Sequence, residues 1–194
     1  MSHLDRIVES LAGSAGAVAA AAQDDGLLAS LDELAGAVCR CLRDGGKVLL
    51  CGNGGSAADC QHLAGELVGR FRRERQGFAA ISLATDTSVM TAIANDYGYD
   101  QVFSRQVEAL AKPGDVVMGF STSGTSGAIL RAMAAAKELG AVTAGWTGSA
   151  GAELADAVDI ALRAPAEETR FIQDIHGALI HALCEVVEAA LAGD

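Results

Sequence analysis

What most narrows the folds open to this chain is a change of rhythm after residue 46. Five short apolar runs, over 47–51, 79–83, 116–120, 141–146 and 158–162, each lead into small residues and then a helical pattern. Apolar runs without alternation suit strands covered on both faces. Strands that alternate with helices imply right-handed crossovers and a parallel sheet. The expected fold is therefore α/β in three layers, a five-stranded parallel sheet flanked by helices. Two helices precede it, one opening at Leu4 to Val8 and one over 27–42, stopped by Asp44-Gly45-Gly46. A long helix over roughly 170–191 closes the chain. With 194 residues, no internal repeat and no linker, one domain over 1–194 is expected, with 1–44 a helical segment packing on the core.

Ligands of open parallel sheets sit beyond the carboxyl ends of the strands, where strand order reverses. The loops after the first and third runs are the two most unusual in the chain. After the third comes Ser121-Thr122-Ser123-Gly124-Thr125-Ser126, ahead of a helix over 128–139. Hydroxyls and a glycine at a helix N-terminus suit a phosphate, because unpaired N–H groups and the positive dipole end face the anion. The plainer reading is an N-cap with spare serines. No GxxxxGK[ST] nucleotide loop stands here. After the first run, Gly52-Asn53-Gly54-Gly55-Ser56 opens a helix over 57–67. Glycines let the backbone approach a ligand, and Asn53 can bond a sugar hydroxyl. On its own, such a loop is also a common way to turn.

His62 and Glu66, four apart on that helix, project from one face and can offer an imidazole and a carboxylate to one metal ion. A surface i,i+4 contact is the plainer reading. On the last helix, Gln173 and His181 are eight apart, about 80° around the axis, close enough to address one site. His181 lies among Leu179, Ile180, Ala182 and Leu183, so partial burial is expected, as for a core histidine.

The formal net charge of −11 argues against a nucleic-acid surface but not against an anionic substrate, which backbone N–H groups and hydroxyls can hold. A hydrophobic fraction of 51% excludes disorder. The five cysteines, Cys39, Cys41, Cys51, Cys60 and Cys184, fit no CxxC or zinc-finger spacing and are expected to be reduced and buried, in a reducing compartment. Asp5, Arg6 and Glu9 precede the Ala-rich stretch 15–22, unlike a signal peptide, and that stretch is too short to span a membrane. A cytoplasmic protein without membrane or nucleic-acid partners is expected.

Four motifs, Cys51-Gly52-Asn53-Gly54-Gly55-Ser56-Ala57-Ala58-Asp59, Ala94-Asn95-Asp96-Tyr97-Gly98, Ser121-Thr122-Ser123-Gly124, and Gln173-Asp174-Ile175-His176 followed by His181, run through nearly the whole chain. Together they resemble the sugar isomerase (SIS) domain family in its heptose-phosphate isomerase branch. The resemblance implies the three-layer SIS fold, with N-terminal helices and the long C-terminal helix used in oligomerisation. It also implies an aldose–ketose isomerase that converts sedoheptulose 7-phosphate to D-glycero-D-manno-heptose 7-phosphate through an enediol, built as a homotetramer with sites at subunit interfaces. It assigns one zinc per subunit to His62, Glu66, Gln173 and His181, and the acid/base pair to Glu66 and His181. Asn53, Gly54, Gly55, Glu66, Asn95, Asp96 and Gln173 would contact the sugar; Ser121, Thr122, Ser123 and Ser126 would hold the phosphate. Arg70 and Thr169 would lie nearby.

The residue types agree with that chemistry, since moving a proton between C1 and C2 needs a carboxylate near the carbons and a second group at the oxygens. Departures from the family pattern are Thr125 in place of Asn, Ala144-Gly145-Trp146 at the end of the fourth run, and an arginine displaced within 165–171. Two other readings compete. One is a non-catalytic SIS adaptor of a replication initiator, against which the retained His62, Glu66 and His181 stand. The other is an isomerase of another ketose phosphate.

Overall fold

The computed structural model describes residues 1–192. Helix α1 (His3–Ala21) starts at a capping box: Ser2 Oγ accepts the Asp5 N–H, and the Asp5 carboxylate accepts the Ser2 N–H. Helix α2 (Asp25–Arg43) starts on Asp24, whose side chain accepts the Leu27 N–H. Then come β1 (Val48–Gly52), α3 (Gly55–Val68), β2 (Ala80–Ser82), α4 (Thr87–Tyr97), a 3-10 turn (Tyr99–Gln101), α5 (Ser104–Leu110), β3 (Val116–Phe120), α6 (Gly127–Glu138), β4 (Val142–Gly148), α7 (Ala152–Ala157), β5 (Ile160–Ala164) and α8 (Thr169–Ala192).

All strand pairs are parallel, in the order β2-β1-β3-β4-β5. The order reverses between β1 and β3, so their carboxyl ends frame the crevice. Both strands are buried throughout, which is why their sequences run apolar without a break. Leu50, Met118 and Trp146 face a core shared with α2, α3 and α8. Leu49 and Val117 face the other core, with Phe103, Ile129, Met133 and Leu154. Burying one such leucine contributes about 2 kcal/mol.

The expected five-stranded parallel sheet is present, with small shifts at its ends. The fifth strand starts at Ile160 rather than 158, because Asp159 is occupied elsewhere. Its carboxylate accepts the Thr143 N–H at 2.9 Å and the Thr143 hydroxyl at 2.7 Å, while its own N–H donates to that hydroxyl. Burial raises the Asp159 carboxyl, but these bonds outweigh it and hold it below its ordinary value.

Of the two apolar helices, α8, not the Ala-rich stretch, is long and apolar enough to cross a membrane by length and composition. Packing accounts for that apolarity: α8 lies against α1, α2 and α3, burying Ile172, Ile175, Leu179, Leu183 and Val187. All five cysteines are free and buried.

Candidate active site

Close approach explains the glycines after β1. Gly54 holds φ +56, in the left-handed region. A Cβ on Gly52 would stand 2.6 Å from the Ser56 carbonyl oxygen, and one on Gly55 would collide with the Gln173 amide. The loop is therefore pressed between its own helix and α8. From it, Asn53 ties three segments together. Its Nδ2 donates to Ser126 Oγ at 3.2 Å, and its Oδ1 accepts the Tyr99 hydroxyl at 2.7 Å.

The loop after β3 folds on itself, leaving a helix start without a side-chain cap. Ser121 Oγ accepts the Gly124 N–H, Ser123 Oγ accepts the Thr125 N–H, and Ser126, in the cap position of α6, makes no cap bond. Gly124, at φ +71, backs onto Gly151, where a Cβ would meet Cα at 2.5 Å. Ser121 is buried, Thr122 and Ser126 are half-buried and Ser123 is exposed. The loop therefore grades from core to open solvent, with N–H donors and hydroxyls at a positive helix end.

Along α3, His62 and Glu66 face α8. His62 Nε2 is 3.4 Å from a Glu66 oxygen and 3.2 Å from His181 Nε2. One ligand atom from each of the three lies within 4.8 Å of the others. The His62 and His181 rings meet edge to face at 4.9 Å, and Phe71 stacks on His181 at 5.8 Å. Two imidazole nitrogens meeting head-on beside a carboxylate are a donor set that suits a divalent ion such as zinc. One turn before His62, Asp59 has a buried, unpartnered oxygen, and burial outweighs the attraction of His62 to push its carboxyl up to about 6. In the sequence Asp59 only closes the glycine motif after the first run, and its burial is what sets it apart.

One expectation needs correction. His181 is exposed rather than partly buried, because it turns toward His62 in an open groove. The buried imidazole of α8 is His176, wedged against Phe120 and Trp146 with Nε2 3.4 Å from the Thr147 carbonyl. Gln173 stands near the start of α8. Its amide rests on Gly55, and eight residues of helix, about 12 Å of rise, separate it from His181.

Asn95 and Asp96 are exposed at the end of α4 and bonded to each other at 2.8 Å. Arg70 is exposed and pairs with Glu74 at 3.7 Å; Thr169 opens α8. Neither a cavity of about 420 Å³ walled by Ile81, Val89 and Arg105 nor one of about 460 Å³ beside Arg72 and Glu188 includes a predicted site residue. The groove between α3 and α8 is open to solvent in the single chain.

The chain is similar to known proteins over nearly its full length. The SIS domain family matches residues 9–148. A phosphoheptose isomerase of Bradyrhizobium sp. (strain BTAi1) is 52% identical over 98% of this chain and 96% of its own. The structure of phosphoheptose isomerase from Neisseria gonorrhoeae superposes with a TM-score of 0.91 at 40% identity, covering 97% of this chain and all of that one. That of Francisella tularensis also gives 0.91, at 36% identity, covering 96% and 98%. With this sheet order, these loops and these relatives, the chain belongs to the SIS domain family, in its phosphoheptose isomerase branch.

Proposed function

We propose that the chain is an aldose–ketose isomerase that converts sedoheptulose 7-phosphate to D-glycero-D-manno-heptose 7-phosphate through an enediol. The observation that carries the reading is the meeting of His62 and Glu66 with His181, 119 residues from His62, beside a strand-end crevice with an uncapped helix start. Close relatives named phosphoheptose isomerase support it, and none favours the adaptor reading.

In this reading the α6 start and the hydroxyls of Ser121, Thr122, Ser123 and Ser126 hold the phosphate far from the reacting carbons. The binding energy of that remote group orients the sugar. Asn53, Gly54, Gly55, Asn95, Asp96 and Gln173 position the hydroxyls. Glu66 takes the proton from one of C1 and C2 and returns it to the other. His181 carries the proton between the two oxygens, for which its open position and facing Nε2 suit it. His62, Glu66 and His181 would hold one zinc per subunit, with Gln173 as the fourth ligand. Bound there, the ion supplies carbonyl polarisation or fixes the ligands. The whole chain acts as one SIS domain, in the cytoplasm, as a homotetramer whose neighbouring subunits close the open groove, without nucleic acid or membrane.

The test is a panel of C5 to C7 ketose phosphates, with zinc content measured on the same preparation. Glu66→Gln is expected to lower turnover about 10²- to 10⁴-fold while the protein stays folded. A Glu66→Gln variant with wild-type rates would remove the assigned base. A fully active protein without metal would remove the zinc.

A further inference from the structure

We propose that the buried Arg75–Glu188 pair is a positioning device that sets the spacing of Glu66 and His181 for metal binding and proton transfer. This rests on the isomerase reading for its catalytic part, but not for its geometry.

Glu188 lies seven residues beyond His181 on α8, two turns along the same face. Its carboxylate reaches across to the segment between α3 and β2. It accepts the N–H of Phe71 at 3.0 Å, of Arg72 at 2.7 Å and of Arg73 at 2.9 Å, and Nε of Arg75 at 2.9 Å. Both side chains of the pair are nearly sealed from water, at 5% and 3% exposure. Burying an ion pair costs solvation, which only a dense set of charge-assisted bonds offsets. Here the carboxylate accepts four such bonds.

The bonds end on the proposed catalytic groups. Through Nη2, Arg75 donates to the Glu66 carbonyl at 2.9 Å, and through Nη1 to the Leu67 carbonyl at 2.9 Å. These are among the last carbonyls of α3, which have no partner inside the helix. The guanidinium also lies over the Phe78 ring at 3.9 Å, which holds its plane. On the other side, the strand of N–H groups held by Glu188 begins with Phe71, whose ring stacks on His181. One carboxylate thus holds the backbone at Phe71 directly and, through Arg75, the backbone at Glu66.

Arg75→Lys keeps the charge but loses the fork that spans two carbonyls, and Glu188→Gln keeps the shape but puts an amide where N–H donors converge. In the full chain, stripped of metal and titrated with zinc ion alone, both are expected to bind zinc 10- to 100-fold more weakly, the usual loss when outer support of ligands is removed. In the sugar-phosphate assay kcat should fall at least about tenfold, with KM within about threefold, because the phosphate loop is not touched. Circular dichroism and oligomer size should match wild type. Folded variants that keep zinc affinity and kcat within about twofold overturn the proposal. Should Glu188→Gln not fold, Arg75→Lys and Phe71→Leu decide by the same two readouts. Should the wild type isomerise none of the sugars while Arg75→Lys still weakens zinc, the positioning role stands and the isomerase reading falls.

Discussion

His176 and His181 stand five residues apart on α8 in opposite surroundings, and the difference sets what each can do. His181 is open to solvent and meets His62. His176 is fully buried, its Nδ1 has no partner, and burial pulls its pKa down to about 4 against a weak upward pull from the Thr147 carbonyl. In the folded chain His176 stays neutral where an unfolded histidine, at about 6.5, takes up a proton. Between those values the unfolded state binds more protons, so the His176 contribution to stability is intact above pH 6.5 and is lost as pH falls toward 4. Asp59, raised to about 6, acts in the opposite direction over much of that window. The readout is therefore a difference. Relative to His176→Gln, the metal-free wild type is expected to lose on the order of 2 kcal/mol between pH 7 and pH 5, measured by denaturant unfolding. Parallel pH profiles for the two proteins would show that His176 takes up its proton without cost. The resemblance set His181 apart from His176 beforehand, but which of the two is sealed from water needed the fold, because both have apolar neighbours in sequence.

At the scale of elements, α3 and α6 start alike. Each starts without a side-chain cap at the carboxyl end of a central strand, and the Asn53–Ser126 bond couples the two starts. Both were legible beforehand, since glycine and hydroxyl clusters at strand-to-helix junctions have a direct physical meaning. If the α6 loop holds the phosphate, Ser123→Ala should raise KM for the sugar phosphate about tenfold, the cost of one hydrogen bond to a charged group, with kcat within about threefold. Steady-state kinetics decide it, and an unchanged KM would move the phosphate elsewhere. Gly55→Ala should act differently, because its Cβ displaces the Gln173 amide. We expect at least a tenfold lower kcat/KM with the fold intact, checked by the same kinetics together with thermal unfolding. In the segment between α3 and β2 only Arg70 was marked beforehand. Arg75 finds Glu188 only because α3 and α8 are neighbours.

For the molecule as a whole, the exposed face of α1 is the clearest unsatisfied feature. Leu4, Ile7, Val8 and Leu11 are 55% to 68% exposed, at the i, i+3, i+4, i+7 spacing of a packing seam. Within α1 only Ala21 is buried, so the helix contributes little to this chain's own core. In the proposed homotetramer that stripe packs against another subunit. Leu4→Lys combined with Leu11→Lys is then expected to yield a smaller species by analytical ultracentrifugation at micromolar concentration, with the secondary structure unchanged. A tetramer that survives both charges would place the interface elsewhere.

The sequence by itself determined the layers, the number of strands, the two loops at the crevice and the His62–Glu66 face, because each follows from local periodicity, backbone freedom or spacing along one helix. Tertiary structure alone decided that His181 is open while His176 is sealed, that Gln173 rests on Gly55, and that a buried carboxylate on α8 holds the end of α3 through Arg75. Those depend on which helices become neighbours, a matter of how two apolar faces pack across a sheet rather than of any short stretch of residues.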